Sequence, residues 1–364
     1  MTIVADAYRF VVGVDTHART HSYGVISTAT GAVVAQITLP TTITGITRAL
    51  AWITHHTGDQ SVVISAEGTG SYGAGLARAA SAAGYRVVEA PTPSVARIRG
   101  TGKTDPADAI LAARTTAAQP LTALRDRRAD GDRAAVQALL TRRDQLTTAR
   151  TATLNALLAL LRVHDLGIDA RHGLSRATIR QIAAWRARHE PDHMATIRTL
   201  AIDYAREIGT IDHQLKTNEK HLRGFVTRHV PELLTLFGVG IINAAIIYTV
   251  WSHPGRIRTA AAFAAIAGTS PIPVHSGNTH AHRLNRGGDR RLNRALHSIM
   301  ISRCRLPETQ DYITRRCPDG KNKKRAYRAL KTYLARTIWR TLNQAHPAAS
   351  NTPHNQPEPM LIAA

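Results

Sequence analysis

Across 364 residues the sequence carries 47 Lys and Arg against 25 Asp and Glu, a net charge of +22 and a pI near 11.1. A surplus of that size points to a polyanionic partner, and the length allows two or three domains with real cores. Two cysteines, Cys304 and Cys317, exclude a disulfide framework and a cysteine-based zinc site; with no signal peptide and no membrane-length apolar run, the expectation is a bacterial cytoplasmic protein without a membrane partner.

Residues 9–15, 21–28 and 32–39 read as three strands rich in Val, Ile and Tyr, with a turn at Thr30-Gly31. The pattern then predicts an amphipathic helix near 42–56, a strand at 61–66, a helix near 73–83, a strand at 86–90 and helical pieces to about 118. Three antiparallel strands followed by alternating helix and strand is the element order of an RNase H-like α/β fold. From about 130 to 227 strand signals vanish. Val136, Leu139, Leu140, Leu146, Leu154, Leu157, Leu158 and Leu161 fall at mostly three- and four-residue steps, as do Ile197, Leu200, Ile208, Ile211, Leu215 and Leu222. Two long helices joined through Gly167 and Gly173 therefore make a helical coiled-coil arm.

Residues 231–250 predict a helix, a Gly238-Val239-Gly240 turn and a second helix, similar to a helix-hairpin-helix whose glycines let backbone amides approach a DNA phosphate. A helix near 257–267 leads into 268–278, where Gly268, Pro271, Pro273 and Gly277 predict a loop. A basic helix over 286–296 follows, beginning Arg286-Gly287-Gly288-Asp289, then a Lys/Arg-rich helix from about 321 to 343 and a disordered tail. The expected divisions are 1–120, an α/β domain; 121–228, the arm; 229–345, a mostly helical domain; and 346–364, the tail.

Four acids stand out against this pattern. Asp15 ends the apolar run Phe10–Val14, and Glu67 follows Val62–Ala66. Asp105 and Asp108 lie three apart in Lys103-Thr104-Asp105-Pro106-Ala107-Asp108, on the first turn of a helix if Pro106 opens one. Any one of them alone reads as a cap or a solvated charge. Together they form the oxygen-rich set that Mg²⁺ (or Mn²⁺) requires for two-metal phosphoryl transfer, at strand ends where sites are built.

Charge is distributed unevenly. Residues 1–118 hold nine Lys/Arg and seven Asp/Glu, a net +2, which leaves +20 for the rest. The expected nucleic-acid contacts are Gly238, Gly240, Arg286, Arg290, Arg291, Arg294, Lys321, Lys323 and Lys324. Arg97, Arg99 and Lys103, ahead of the last acids, are either further backbone contacts or an ordinary exposed basic segment. The excess of Arg over Lys suits phosphate forks, and it also fits the residue bias of a high-GC genome.

In order, Asp15, Glu67-Gly68-Thr69-Gly70-Ser71-Tyr72, Lys103-Thr104-Asp105 with Asp108-Ala109, the Gly-Val-Gly turn, His275-Ser276-Gly277 and Arg286-Gly287-Gly288-Asp289-Arg290-Arg291-Leu292 resemble the DEDD transposases of bacterial insertion sequences. These are the bridge-RNA-guided recombinases related to the Piv DNA invertases, and the resemblance runs from about residue 9 to 342. It implies a RuvC-like RNase H domain, a coiled-coil arm and a transposase domain. It also implies metal ligands at Asp15, Glu67, Asp105 and Asp108 and a nucleophile at Ser276. The partners it implies are a guide (bridge) noncoding RNA, donor and target DNA, and further copies of the chain in a tetramer, a dimer of dimers with active sites completed between protomers. The chain departs from the family at Thr269-Ser270, where apolar residues are more usual, so Ser270 remains a second candidate nucleophile.

Two other functions stay open at this level. A metal-dependent nuclease of the Holliday-junction type needs only the acids, with water attacking; a non-catalytic RNA-binding module needs only the charge. Within the family itself, the sequence does not separate a transposase from a site-specific DNA invertase. His275, His280 and His282 crowd the serine, and His17 and His21 flank the first acid as groups that tune its surroundings.

Overall fold

A computed structural model describes residues 2–91, 104–276, 279–283, 285, 287–316 and 323–347, with backbone alone over 273–283. The chain forms two compact units. One comprises Met1–Ala129 with His253–Arg258; the other comprises Asp130–Ser252 and Thr259–His346.

The first unit runs α1 (Val4–Ala7), β1 (Phe10–Thr16), β2 (Thr20–Ser27), β3 (Val33–Pro40), α2 (Ile43–Thr57), β4 (Val62–Ala66), α3 (Ala74–Ala82), β5 (Arg86–Glu89) and α4 (Asp105–Ala117). The five strands form one sheet in the order β3-β2-β1-β4-β5, with β2 antiparallel to β1 and β3, and β1, β4 and β5 parallel. That mixed sheet is consistent with an RNase H-like fold. Successive β1 side chains alternate between faces. Val12 and Val14 join Tyr23, Ile46, Ile53, Ile64, Leu76 and Ala80 on the α2–α3 side. Val11 joins Ile26, Val63, Val88, Ile110 and Ala113 on the α4 side. Burial on both faces explains why β1 and β4 read as continuous apolar runs, whereas edge strand β3 is largely exposed.

Gly13 governs the seat of α4. A Cβ there would lie 1.9 Å from the carbonyl oxygen of Ala109 and 2.7 Å from the amide of Ala113, so the α4 backbone rests directly on β1. Beneath β5, the segment His253–Arg258 straps the same unit. Arg256, 3% exposed, donates to Glu89 Oε2 at 2.8 Å and to the carbonyl of Asp126 at 3.1 Å. Arg128 approaches the other Glu89 oxygen at 3.4 Å. Glu89 thus ends a parallel strand near the acids, but its charge is matched by arginines.

The second unit is built on α5 (Asp132–Val163), α6 (Arg176–Ala183) and α7 (Asp192–His229). Contacts between α5 and α7 run in opposite senses: Asp132 meets His229, Leu139 meets Asn218, and Arg150 meets Asp212. The two long helices are therefore antiparallel. Their far end closes on α6 through Leu157, Leu161, Ile179, Ile182, Ala205 and Ile208. A cavity of about 400 Å³ there is lined by Trp185, Arg198, Glu190 and Arg206 among others. Arg198 is spent inside it: it pairs with Glu190 at 2.7 Å and covers the Trp185 ring at 5.3 Å.

The remaining elements are α8 (Ile241–Trp251), α9 (Ala260–Ile266), β6 (Ile272–Ser276), β7 (Thr279–Arg283), α10 (Arg290–Arg303), α11 (Pro307–Arg316) and α12 (Lys323–Ala345). Helix α8 is buried on nearly every face and is the core helix of this region. Two expectations change here. The element before Gly238 is a 3-10 turn, Pro231–Thr235, because Pro231 follows the end of α7 directly and leaves room for little more than one turn. Within the expected loop at 268–278, Ile272–Ser276 is instead β6 of an antiparallel hairpin, with Pro273 opposite His282 and Ser276 opposite Thr279. Each strand of a two-stranded ribbon has an unpaired edge, so a proline is tolerated where its missing N–H faces outward. Helices α1, α6 and α11 were not expected; α1 and α6 are short, and α11 is strongly polar.

Candidate active site at the carboxyl edge of the sheet

Strands β1 and β4 run parallel with Val14 beside Ala66, so Asp15 and Glu67 emerge side by side at the carboxyl edge. The amide of Glu67 continues the ladder to Val14 O at 3.2 Å, and Thr16 Oγ1 donates to Glu67 O at 3.0 Å. The chain must then turn at once to leave Glu67 on the rim. Gly68 does this at φ 55°, a backbone conformation that other residues adopt with strain. The Glu67-Gly68-Thr69-Gly70-Ser71 motif is therefore a turn that holds an exposed carboxylate at a strand end.

Asp105 opens α4 as expected, with Pro106 in the first turn. Because α4 rests on Gly13, its N-terminus lies beside the end of β1. There Asp15, His17 and Asp105 bring one ligand atom each within 4.8 Å of one another. Among the described residues this is the one such grouping of His, Cys, Asp and Glu. Asp15 is buried, at 9% exposure, while Asp105 is half-buried. His17 Nε2 lies 3.0 Å from Asp15 Oδ2 and 3.5 Å from Asp105 Oδ1. Asp108, one turn along α4, is half-buried, and Glu67 is exposed; both border the grouping without entering it. Carboxylate oxygens presented at this spacing suit a hard divalent cation with bonds of about 2.1 Å. Membership of His17 was not expected beyond a tuning role; its position two residues past a strand-end acid was the available signal.

The basic candidates separate by environment. Arg290 and Arg294 on α10 and Lys323 and Lys324 on α12 are exposed. Arg291 is paired with Asp144 of α5. Arg286, Lys321, Arg97, Arg99, Lys103 and Cys317 lie outside the described residues. Gly238 has φ 85°, and a Cβ there would crowd Ile299 and Ser302 of α10 at 3.1 Å. Gly240 caps α8 and is exposed, and a Cβ added there would meet nothing within 4 Å. Within the Arg286-Gly287-Gly288-Asp289 motif, Gly288 packs on Gly268, where a Cβ would come within 2.3 Å, and Asp289 caps α10 through the amide of Leu292 at 2.9 Å. Asn293 donates to Ala267 O at 2.7 Å and accepts from Lys331 at 2.9 Å. These contacts brace the base of the hairpin whose first strand carries Ser270 just ahead of it and Ser276 at its end.

No helix of the described residues is long and apolar enough to cross a membrane. No curated protein matches the chain. Residues 12–164 match the transposase family model DEDD_Tnp_IS110, which spans the sheet unit from β1 onward and all of α5. Residues 230–314 match the model of the Transposase IS116/IS110/IS902 family, covering the Gly238 turn, the β6–β7 hairpin and α10. With both transposase domains present in chain order, one carrying the acidic edge and the other the serine hairpin, this chain is a DNA transposase of the IS110 insertion-sequence type.

Proposed function

We propose that the chain cuts and rejoins DNA through a phosphoserine intermediate at Ser276, assisted by Mg²⁺ (or Mn²⁺) held by Asp15, Glu67, Asp105 and Asp108, and guided by a noncoding RNA. The observation that carries this reading is the convergence of Asp15 and Asp105 at the edge where β1 and β4 end, inside the first transposase match. Ser276 ends β6 inside the second match. Arg290, Arg294, Lys323 and Lys324 would neutralise DNA and RNA phosphates, and the exposed Gly240 at the start of α8 would let a phosphate approach the backbone there.

In the proposed step Ser276 Oγ forms a bond to a backbone phosphorus as the bond to the departing sugar oxygen breaks. The serine proton leaves to a base, and the sugar oxygen gains a proton. A bound divalent ion would offset charge building on the phosphate. Asp15 and Asp105 would hold that ion, and reversal of the step rejoins a strand without ATP, because the phosphate ester is conserved. The domain divisions at 120 and 228 are part of the same proposal, as is an oligomer in which one chain's acids serve another chain's serine.

The test is denaturing capture of protein on DNA carrying the element ends. Wild type forms an SDS-resistant, protease-sensitive adduct that maps to the Ser276 peptide. Ser276→Ala loses the adduct and recombination but keeps nucleic-acid binding, since one oxygen and no charge is removed. Asp15→Ala, Glu67→Ala, Asp105→Ala and Asp108→Ala each lose cleavage while melting within a few degrees of wild type. Free nicked ends without an adduct would replace the recombinase with a nuclease, and an adduct that persists in Ser276→Ala would move the nucleophile, with Ser270 next. Omitting the RNA from an otherwise complete reaction without effect would remove the guide.

A further inference from the structure

An imidazole lies beside both clustered acids. His17 Nε2 lies 3.0 Å from one Asp15 oxygen and 3.5 Å from one Asp105 oxygen. The ring is carried on the turn joining β1 to β2, where the His17 amide donates to Thr20 O at 3.1 Å. It therefore has a fixed base on the same ladder as Asp15. Its side chain is 48% exposed and Asp15's is 12% exposed, so the ring lies between the buried acid and solvent. An octahedral ion with bonds of about 2.1 Å keeps adjacent donor atoms about 3 Å apart. The 3.0 Å distance to Asp15 matches that spacing, and the 3.5 Å distance to Asp105 exceeds it by about half an ångström. An imidazole paired with both carboxylates is the metal-free reading of the same two distances, and a nitrogen bonded directly to the ion separates the two readings.

We propose that His17 is itself a ligand of the divalent ion, its Nε2 completing an Asp15–His17–Asp105 face, and that this nitrogen tilts the site toward Mn²⁺ over Mg²⁺. The inference rests on the metal reading of Asp15 and Asp105 above. Mg²⁺ prefers oxygen and keeps its waters, so an imidazole adds little to its binding; Mn²⁺, further along the affinity series for mixed nitrogen and oxygen sites, gains from it. His17 would thus set which metal the transposase holds, whereas the carboxylates set that it holds one at all.

The full-length protein with Mn²⁺ alone tests this without turnover. Electron spin-echo modulation of bound Mn²⁺ should show a directly coordinated ¹⁴N in wild type. His17→Ala should lose that signal and bind Mn²⁺ about tenfold more weakly or worse, with Mg²⁺ affinity, read by competition, changing about twofold at most. His17→Asp should recover affinity through an oxygen donor, without the ¹⁴N signal and with the preference moved toward Mg²⁺. The wild-type spectrum decides the matter even if a variant folds poorly. Mn²⁺ bound without ¹⁴N modulation, or modulation that persists in His17→Ala, overturns the role of His17. If Asp15→Asn still abolishes Mn²⁺ binding in that case, the metal reading survives; if wild type and Asp15→Asn bind Mn²⁺ equally, the metal reading itself falls.

Discussion

His21 shows how a single side chain at the sheet links burial to pH. It stands opposite Thr16 across the β1–β2 ladder, 1% exposed, with its ring edge-on to Tyr23 at 6.3 Å. Burial pushes its imidazole below the ordinary value of 6.5, opposed by the backbone of Thr20, with His17 lowering it further and Asp15 raising it. The folded state thus favours the neutral ring, and the unfolded chain binds the proton more readily. Stability from this residue is complete above about pH 6.5 and is lost as pH falls below that value toward the folded-state pKa. Calorimetry in chelator should find wild type melting lower at pH 5.5 than at 7.5, and His21→Phe, which keeps the ring, should narrow the difference. An unchanged difference in the variant would assign the pH response to other groups.

At the scale of elements, the site depends on how closely one helix approaches one strand. Gly13 lets α4 rest on β1, and that contact delivers Asp105 to Asp15. Gly13→Ala drives a methyl into helix backbone, which cannot give way locally, and should cost about 3 kcal/mol and weaken metal binding as Asp105 is displaced. Gly24→Ala is the contrast. Its methyl would crowd the Ile110 side chain, at 2.3 Å from the tip, which can change rotamer, while the Ile110 amide nitrogen at 3.5 Å is in ordinary contact. A cost of about 1 kcal/mol is expected, with metal binding retained. Urea melts of both variants decide this; equal costs would mean that α4 is not seated by Gly13. Neither glycine announces this role in the sequence, because the requirement comes from an element almost a hundred residues away. The turn glycine Gly238 was more legible, since Gly-Val-Gly punctuates an apolar run, yet the 3-10 turn ahead of it was hidden by the apolar Leu233, Leu234 and Leu236, which suit an α-helix equally well.

For the whole molecule, a surplus of +22 makes nucleic-acid affinity a matter of counterion release. The log–log dependence of RNA binding on salt should have a slope of several units, and Arg294→Ala, Lys323→Ala or Lys324→Ala should each reduce it by roughly 0.7–0.9 if that side chain meets a phosphate. Arg291→Ala should change it less, because Arg291 already answers Asp144. Filter binding from 50 to 400 mM salt measures this. A slope near zero would refute the electrostatic grip, and a full-sized effect from Arg291 would mean that the ion pair with Asp144 opens when nucleic acid binds.

The sequence by itself determined an α/β half and a mostly helical half, the strands of the sheet, the two long helices and the strand-end positions of Asp15 and Glu67. Those features are local: period-two and period-3.6 apolar patterns and turn chemistry are written within a dozen residues. Only the tertiary structure decided that Asp105 meets Asp15, that His17 stands between them, that Arg291 is committed to Asp144 and that Glu89 is matched by Arg256. It also decided that a stretch with two prolines pairs as a hairpin. Each of these depends on the approach of distant segments, set by where a missing Cβ lets backbones touch and by which charges burial forces to pair.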